Sequence, residues 1–251
     1  MNDRGRLSKM WEYYKMGGLS PAITSLYNGK SAQQMAFIRS MMKEQRQRSL
    51  FDISLSGMEA VVFDLETTGF SPYHGDEIIS IGAVSVIGSL VKEDETFYSE
   101  VNPERMIPDH IVELTGITNE QAAGAPSLME ALRYFLHFVQ QKVLVVHGSG
   151  HDKRFLNSAL WRTSKVNMTH RVLDTMMIAK WLRPASKCYG LDELLDAYGI
   201  EPMQRHHALY DAVMTAKLWS AMNEEISERG VATLGDLYVG LSHHEGMSPT
   251  R

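Results

Sequence analysis

In the stretch AVVFDLETTGF, residues 60–70, an apolar run ends in two acids, Asp64 and Glu66, followed by Thr67, Thr68 and Gly69. Residues two apart in a β-strand share a face, so the two carboxylates are neighbours while Phe63 and Leu65 turn towards a core. Like charges so placed repel one another unless a cation sits between them, and hard divalent ions such as Mg²⁺ take carboxylate oxygens. Gly69 allows a tight exit from the strand or close approach to a ligand. Alone, the pair also reads as two solvated acids at an exposed strand end.

Two further segments carry related chemistry. In VLVVHGSGHDKRFL an apolar strand ends, a Gly-containing turn follows, and Asp152 opens a helix, a position where an acid also serves as a cap. In RHHALYDAVMTAKLW, His206 precedes Asp211 by five residues. Five residues of helix rotate by about 140°. The two side chains therefore converge only if His206 lies in the loop ahead of the helix and reaches back. A surface His pair beside a helical Asp is the plain alternative.

The elements that must position these groups read as α/β. EAVVFDLE, EIISIGAVSVIG and DETFYSEVNP are strands with short connections, an antiparallel meander. SLMEALRYFLHFVQQ has apolar residues at 128, 132, 135, 136 and 139, a helical period. KVLVVHG is a short buried strand before a helix over about 151–162, and HRVLDTM a second short strand before another helix. GLDELLDAYGI and HHALYDAVMTAKLWSAMNEEI are further helices. The order β-β-β-α-β-α-β-α-α predicts a mixed sheet flanked by helices.

Residues 1–55 form a separate unit in this reading, a basic helical extension and linker. Helical segments are expected there, separated by MGGLSP and YNGKS, with Ser31 as an N-cap before AQQMAFIRSMM and KEQRQRSLFDISLSG as the linker. Residues 56–225 are the main body, which holds the acids and His206. Residues 226–251 are a C-terminal segment ending in SHHEGMSPTR, expected to be disordered.

The 251 residues are 44% hydrophobic, enough for one sizeable domain with an appendage. The single cysteine, Cys188, excludes an intrachain disulfide and has no partner spacing for zinc. The N-terminal stretch lacks the apolar segment of a signal peptide, and no run approaches the roughly 18 apolar residues of a membrane helix. A soluble, cytoplasmic protein that uses no membrane is the expectation. Net charge is −5, but residues 1–52 carry nine Lys/Arg against four Asp/Glu, leaving the rest strongly acidic. A basic arm on an acidic body suggests a polyanionic partner; a solvated helical extension is the alternative.

Through FDLETTG, VVHGSGHDKRFL and HHALYDA, supported by IPDHIVELTGIT and VLDTMMIA, the chain resembles the DEDDh 3′–5′ exonuclease family over roughly residues 58–222. The resemblance implies a ribonuclease H-like fold and a two-metal phosphodiester hydrolase using Mg²⁺ or Mn²⁺. By similarity, Asp64, Glu66, Asp152 and Asp211 hold the metals and His206 is the general base. His207 is excluded as that base by its spacing to Asp211. By the same resemblance, the backbone around Thr67 and Thr68 contacts the terminal nucleotide, and Leu114 and Thr115 pack on its base or sugar; loop core is the alternative for those two. The implied partner is a nucleic acid with a free 3′ end, single-stranded, and with it a DNA polymerase or another replication or repair protein. Gly148 and His151 depart from the family's H-N-x-x-F-D pattern, which puts local packing in question, not metal binding. Exonuclease action on DNA is the leading reading, with an exoribonuclease and a non-catalytic nucleic-acid-binding module as alternatives.

Overall fold

The computed structural model describes residues 21–46 and 50–245. Three strands open the body: β1 (Glu59–Thr67), β2 (Ile78–Ile87) and β3 (Leu90–Glu100). They form the expected antiparallel meander. After three helices, α2 (Asp109–Thr115), α3 (Asn119–Gly124) and α4 (Leu128–Val139), the chain returns as β4 (Val143–Val146). Strand β4 pairs parallel to β1, and β5 (Val172–Asp174) pairs parallel to β4. The sheet order is β3-β2-β1-β4-β5, so β1 is central. Between β4 and β5 runs α5 (Asp152–Ser164), and β5 leads directly into α6 (Thr175–Leu182), α7 (Leu191–Ala197) and α8 (Ala208–Glu228).

Alternation along β1 sends its side chains to two cores. Val61, Phe63 and Leu65 join Phe135, Leu136, Phe155 and Leu156 of α4 and α5 on one face. Ala60 and Val62 join Met214, Leu218, Trp219 and Met222 of α8 on the other. Asp64 and Glu66 continue the second series, so the acids face α8. That helix lies close because Ala208, Ala212 and Ala216 form a fully buried small-residue stripe at i, i+4 and i+8. Gly82 of β2, paired with Asp64 in register, completes the fit, since a methyl group there would overlap the backbone of Ala208 and Leu209.

Several expectations need correction. YNGKS does not separate two helices and Ser31 is no N-cap: a single helix, α1 (Pro21–Arg46), runs through both. The poor helical propensity of Gly29 is overridden by packing further along, where Ile38 and Met42 enter the core against α4 and α5. MGGLSP lies almost wholly outside the described residues. The segment expected as a linker is tied to the body where it is described: Leu50, Leu55 and Met58 are buried, and Ser54 bridges to Thr233. Residues 242–245 of the tail expected to be disordered complete α9 (Leu234–Glu245), a helix that buries Leu234 and Leu237; residues 246–251 lie outside the described residues.

Candidate active site

All four predicted acids meet where β1 ends beside β4. Asp64 and Glu66 project from the last turn of pleat in β1, just before the β1–β2 register shifts between Glu66 and Thr67. Asp152 arrives on the first turn of α5, directly after the turn that leaves β4, and Asp211 on the first turn of α8. Glu66, Asp152 and Asp211 are buried. Donor atoms of Glu66, His206 and Asp211 lie within 4.8 Å of one another.

The electrostatics are those of a site short of positive charge. Asp64 is raised well above the carboxylate range by burial, and then by Asp152, Glu66 and Asp211. Burial and the charges of Asp211 and Asp152 push Glu66 up to about 8. Asp152 rises to about 7, again chiefly through burial. Hard oxygen donors, closely spaced and mutually repelling, fit a divalent cation better than any protein group.

The local structure explains how each arm is held. His206 precedes α8 with φ = 59°, a left-handed backbone that a non-glycine residue adopts under strain. That turn lets its backbone N–H donate to Asp211 Oδ2 at 2.9 Å, and it brings the imidazole back over the helix start, as the spacing required. His207, the next residue, is stacked between Tyr98 and Tyr210, with ring centroids 4.8 and 4.3 Å away. The second arm hangs on Asp174, the N-cap of α6. Its Oδ1 accepts from Gly148 N at 3.0 Å and Met176 N at 2.9 Å, and its Oδ2 from Ser149 N at 2.8 Å.

The two departures in this arm have physical readings. Gly148 takes φ = 72°, a conformation that asparagine tolerates and glycine adopts freely. His151 fills an aromatic slot between Phe70 and Phe155, with centroids at 5.7 and 4.6 Å. The Thr67 hydroxyl donates to Gly69 O at 2.7 Å, so His151 Nε2 is the donor in their 3.2 Å contact. Burial, and then Arg154, lower the His151 pKa.

Thr67 and Thr68 are buried in the strand exit. Thr68 Oγ1 donates to Asp76 Oδ1 at 3.3 Å and accepts from Glu77 N at 3.0 Å, and the Thr68 backbone N–H donates to Glu77 O at 2.8 Å. A side chain at Gly69 would meet the Asp76 carboxylate, which would have to move. At the end of α2, Leu114 is 48% exposed. Thr115 is buried, its hydroxyl donating to Ile111 O at 2.8 Å and accepting from Ile117 N at 3.3 Å.

Sequence reasoning missed four residues that shape the site. Arg205 pairs with Asp211 Oδ1 and, through Nε, with Asp192 Oδ1 at 2.7 Å; its position beside His206 was the available signal. Asp174 sits between a strand and a helix in VLDTMM, an N-cap signature. Gly82, a lone glycine in a β-branched run, signals a close backbone approach. Tyr98 carries no signal beyond its place on a strand.

Sheet order and site together define a ribonuclease H-like nuclease fold with a complete D-x-E, D, H-x4-D set. The family profile described as Exonuclease (RNase_T) matches residues 61–219, and the chain belongs to that family, as a DEDDh-type exonuclease domain. It is 36% identical over 196 residues to a PolC-type DNA polymerase III of Caldanaerobacter subterraneus subsp. tengcongensis, covering 77% of this chain and 14% of that one. It is 32% identical over 214 residues to a DNA polymerase III subunit epsilon-like protein of Rhodobacter capsulatus, covering 84% of this chain and 30% of that one. The chain thus spans a third or less of these relatives. In fold it is similar to the nuclease domain of 3′hExo, a DEDDh family member bound to rAMP, with TM-score 0.60, 22% identity, and 67% of this chain and 93% of that one covered. Exonuclease X in complex with 5′ overhanging duplex DNA gives TM-score 0.56 and 22% identity, covering 73% and 99%. Among the described residues no helix is long and apolar enough to cross a membrane.

Proposed function

We propose that this chain is a metal-dependent 3′–5′ exonuclease that hydrolyses phosphodiester bonds from the 3′ end of DNA and releases nucleoside 5′-monophosphates. The observation that carries this reading is the convergence of four carboxylates from β1, α5 and α8 with one imidazole, where among the described residues Arg205 is the cation that offsets the acids. Asp64, Glu66, Asp152 and Asp211 would hold two Mg²⁺ or Mn²⁺ ions. Bound there, such ions supply charge stabilisation at the phosphate and acidify the attacking water. His206 accepts the proton of that water on a ring nitrogen. The strained loop and the stacked His207 keep that ring over the acids. The backbone at Thr67 and Thr68 positions the terminal nucleotide, and the open side chain of Leu114 packs on its base; Thr115 holds the turn that presents Leu114.

The relatives named as DNA polymerase III support DNA as the substrate and work beside a polymerase. The similar nuclease domain bound to rAMP supports RNA as the second reading. End-labelled single-stranded DNA and RNA, incubated side by side with Mg²⁺, Mn²⁺ or excess EDTA, separate these readings. DNA shortened stepwise from its 3′ end, with EDTA abolishing the reaction, is the expected result. Faster loss of RNA would reassign the substrate, and full-rate hydrolysis in EDTA would remove the metals. Binding without hydrolysis in either metal would leave a non-catalytic module.

A further inference from the structure

Helix α5 starts at the site with Asp152 and carries a row of exposed residues away from it: Arg154, then Trp161 and Lys165 at helical spacing, with half-exposed Asn157 between. Trp161 lies about 14 Å from Asp152 along the helix axis. There the end of α5 meets α1, and the two helices form an open groove of about 270 Å³ lined by Arg39, Met42, Lys43, Trp161, Lys165 and Asn167. Three of these are cationic, and no carboxylate lines the groove among the described residues. Trp161 is 54% exposed, a large aromatic surface left in water.

Two of the cations are held by contacts within the groove, and all three keep their charge unspent among the described residues. Arg39 donates through Nε to Ser164 O at 2.9 Å, capping the last turn of α5, and makes no ion pair among the described residues. Lys165 ends the helix with φ = 55°, a conformation in which glycine would be unstrained. A lysine is kept there instead, its ammonium 5.9 Å from the Trp161 ring. Lys43, one turn beyond Arg39 on α1, is exposed and unpaired among the described residues. By contrast, Arg162 on the same helix is neutralised by Glu77. The body as a whole is acidic, so this cationic, aromatic groove is local.

We propose that this groove binds the single-stranded DNA lying 5′ of the end being cleaved, with Trp161 stacking on a base and Arg39, Lys43 and Lys165 contacting phosphates. An aromatic face beside cations is the chemistry of sequence-tolerant single-strand binding, and the distance along α5 lies within the reach of a strand of ordinary site size. The proposal rests on the exonuclease reading for the identity of the strand. It also assigns α1, outside the matched residues 61–219, a share in the substrate surface.

Fluorescence anisotropy in EDTA on the full chain, with a trinucleotide and with a DNA strand of ~16 nucleotides, tests it. Trp161→Ala should weaken binding of the longer strand by about 5- to 150-fold, the loss of one stacked base, and leave the trinucleotide unchanged. Lys43→Glu should make the dependence of log affinity on log salt shallower by about 0.7 for each phosphate that is no longer neutralised. Lys165→Gly should weaken long-strand binding while keeping or raising the melting temperature, because glycine relieves the left-handed backbone. Under turnover with metal, KM should rise for the long strand alone, with kcat unchanged. Unchanged long-strand affinity in Trp161→Ala and Lys165→Gly, or equal losses for both lengths, would overturn the groove. Wild type that binds through these residues but does not cleave would overturn the exonuclease reading instead.

Discussion

At the scale of single residues, the site concentrates negative charge and holds one imidazole against it. His206→Ala should lower kcat by about 10²–10⁴-fold, the range for a missing general base, while the metal concentration for half-maximal rate stays unchanged. A large rise in that concentration would instead make the imidazole a ligand, a role the 4.8 Å grouping with Glu66 and Asp211 also permits. His207→Ala should lose a smaller part of the rate, because His207 is held in a stack between Tyr98 and Tyr210 rather than facing the acids. His207→Phe should restore most of that loss by rebuilding the stack; failure of the rescue would show that the ring nitrogens of His207 matter. Asp64→Asn keeps the shape of the carboxylate and removes a charge repelled by three others. It should abolish hydrolysis and raise the melting temperature in EDTA, and a variant with near-normal turnover would place the chemistry elsewhere.

At the scale of elements, the placement of His206 and Asp211 against the β1 acids depends on how near α8 comes to the sheet. Gly82 pairs with Asp64 on one side and with Tyr98 on the other, so a single row across three strands underlies the acid, the helix start and the stacking tyrosine. Gly82→Ala puts a methyl group into the Ala208–Leu209 backbone. Overpacking of this kind costs about 1–3 kcal/mol, or about 2–4 °C of melting temperature per kcal/mol in a chain of this size. The displaced helix start carries His206 and Asp211 with it, so kcat should fall by about 10²-fold, the penalty for misplacement of about 1 Å. Full activity in a destabilised Gly82→Ala variant would show that α8 can recoil without moving its loop.

At the scale of the whole molecule, the buried acids couple stability to pH and to metal. Glu66 near 8, Asp152 near 7 and a raised Asp64 keep protons in the folded protein that an unfolded chain has already released. Their stabilising protonated forms are complete at low pH and are lost as pH climbs through the folded values, so metal-free stability should fall between about pH 6.5 and 8. The histidines His147, His151 and His170 have lowered pKa values and act in the opposite sense, but only below the ordinary histidine range. Thermal melts in EDTA across that window should therefore slope downward, and saturating Mn²⁺ should flatten the slope by replacing the protons. A melting temperature that rises with pH in EDTA would contradict the repulsion.

From the sequence alone came the strand ending in Asp64 and Glu66, the helix start at Asp152 and the H-x4-D spacing. These are short-range patterns, set by the two-residue period of a strand and the 3.6-residue period of a helix. The mixed sheet also followed, from short connections early and helical crossovers later. What the tertiary structure decided involves residues far apart in the chain. Gly29 interrupts a local pattern, yet α1 runs through it because Ile38 and Met42 are buried against α4 and α5, a packing that no window of sequence contains. Asp174 reaches back to Gly148 and Ser149, Gly82 makes room for Ala208, and Arg39 caps a helix that ends at Ser164. Periodicity says which face of an element is apolar; only packing says which other element that face meets, and it is that meeting which brings four repelling acids and one histidine to the same end of the sheet.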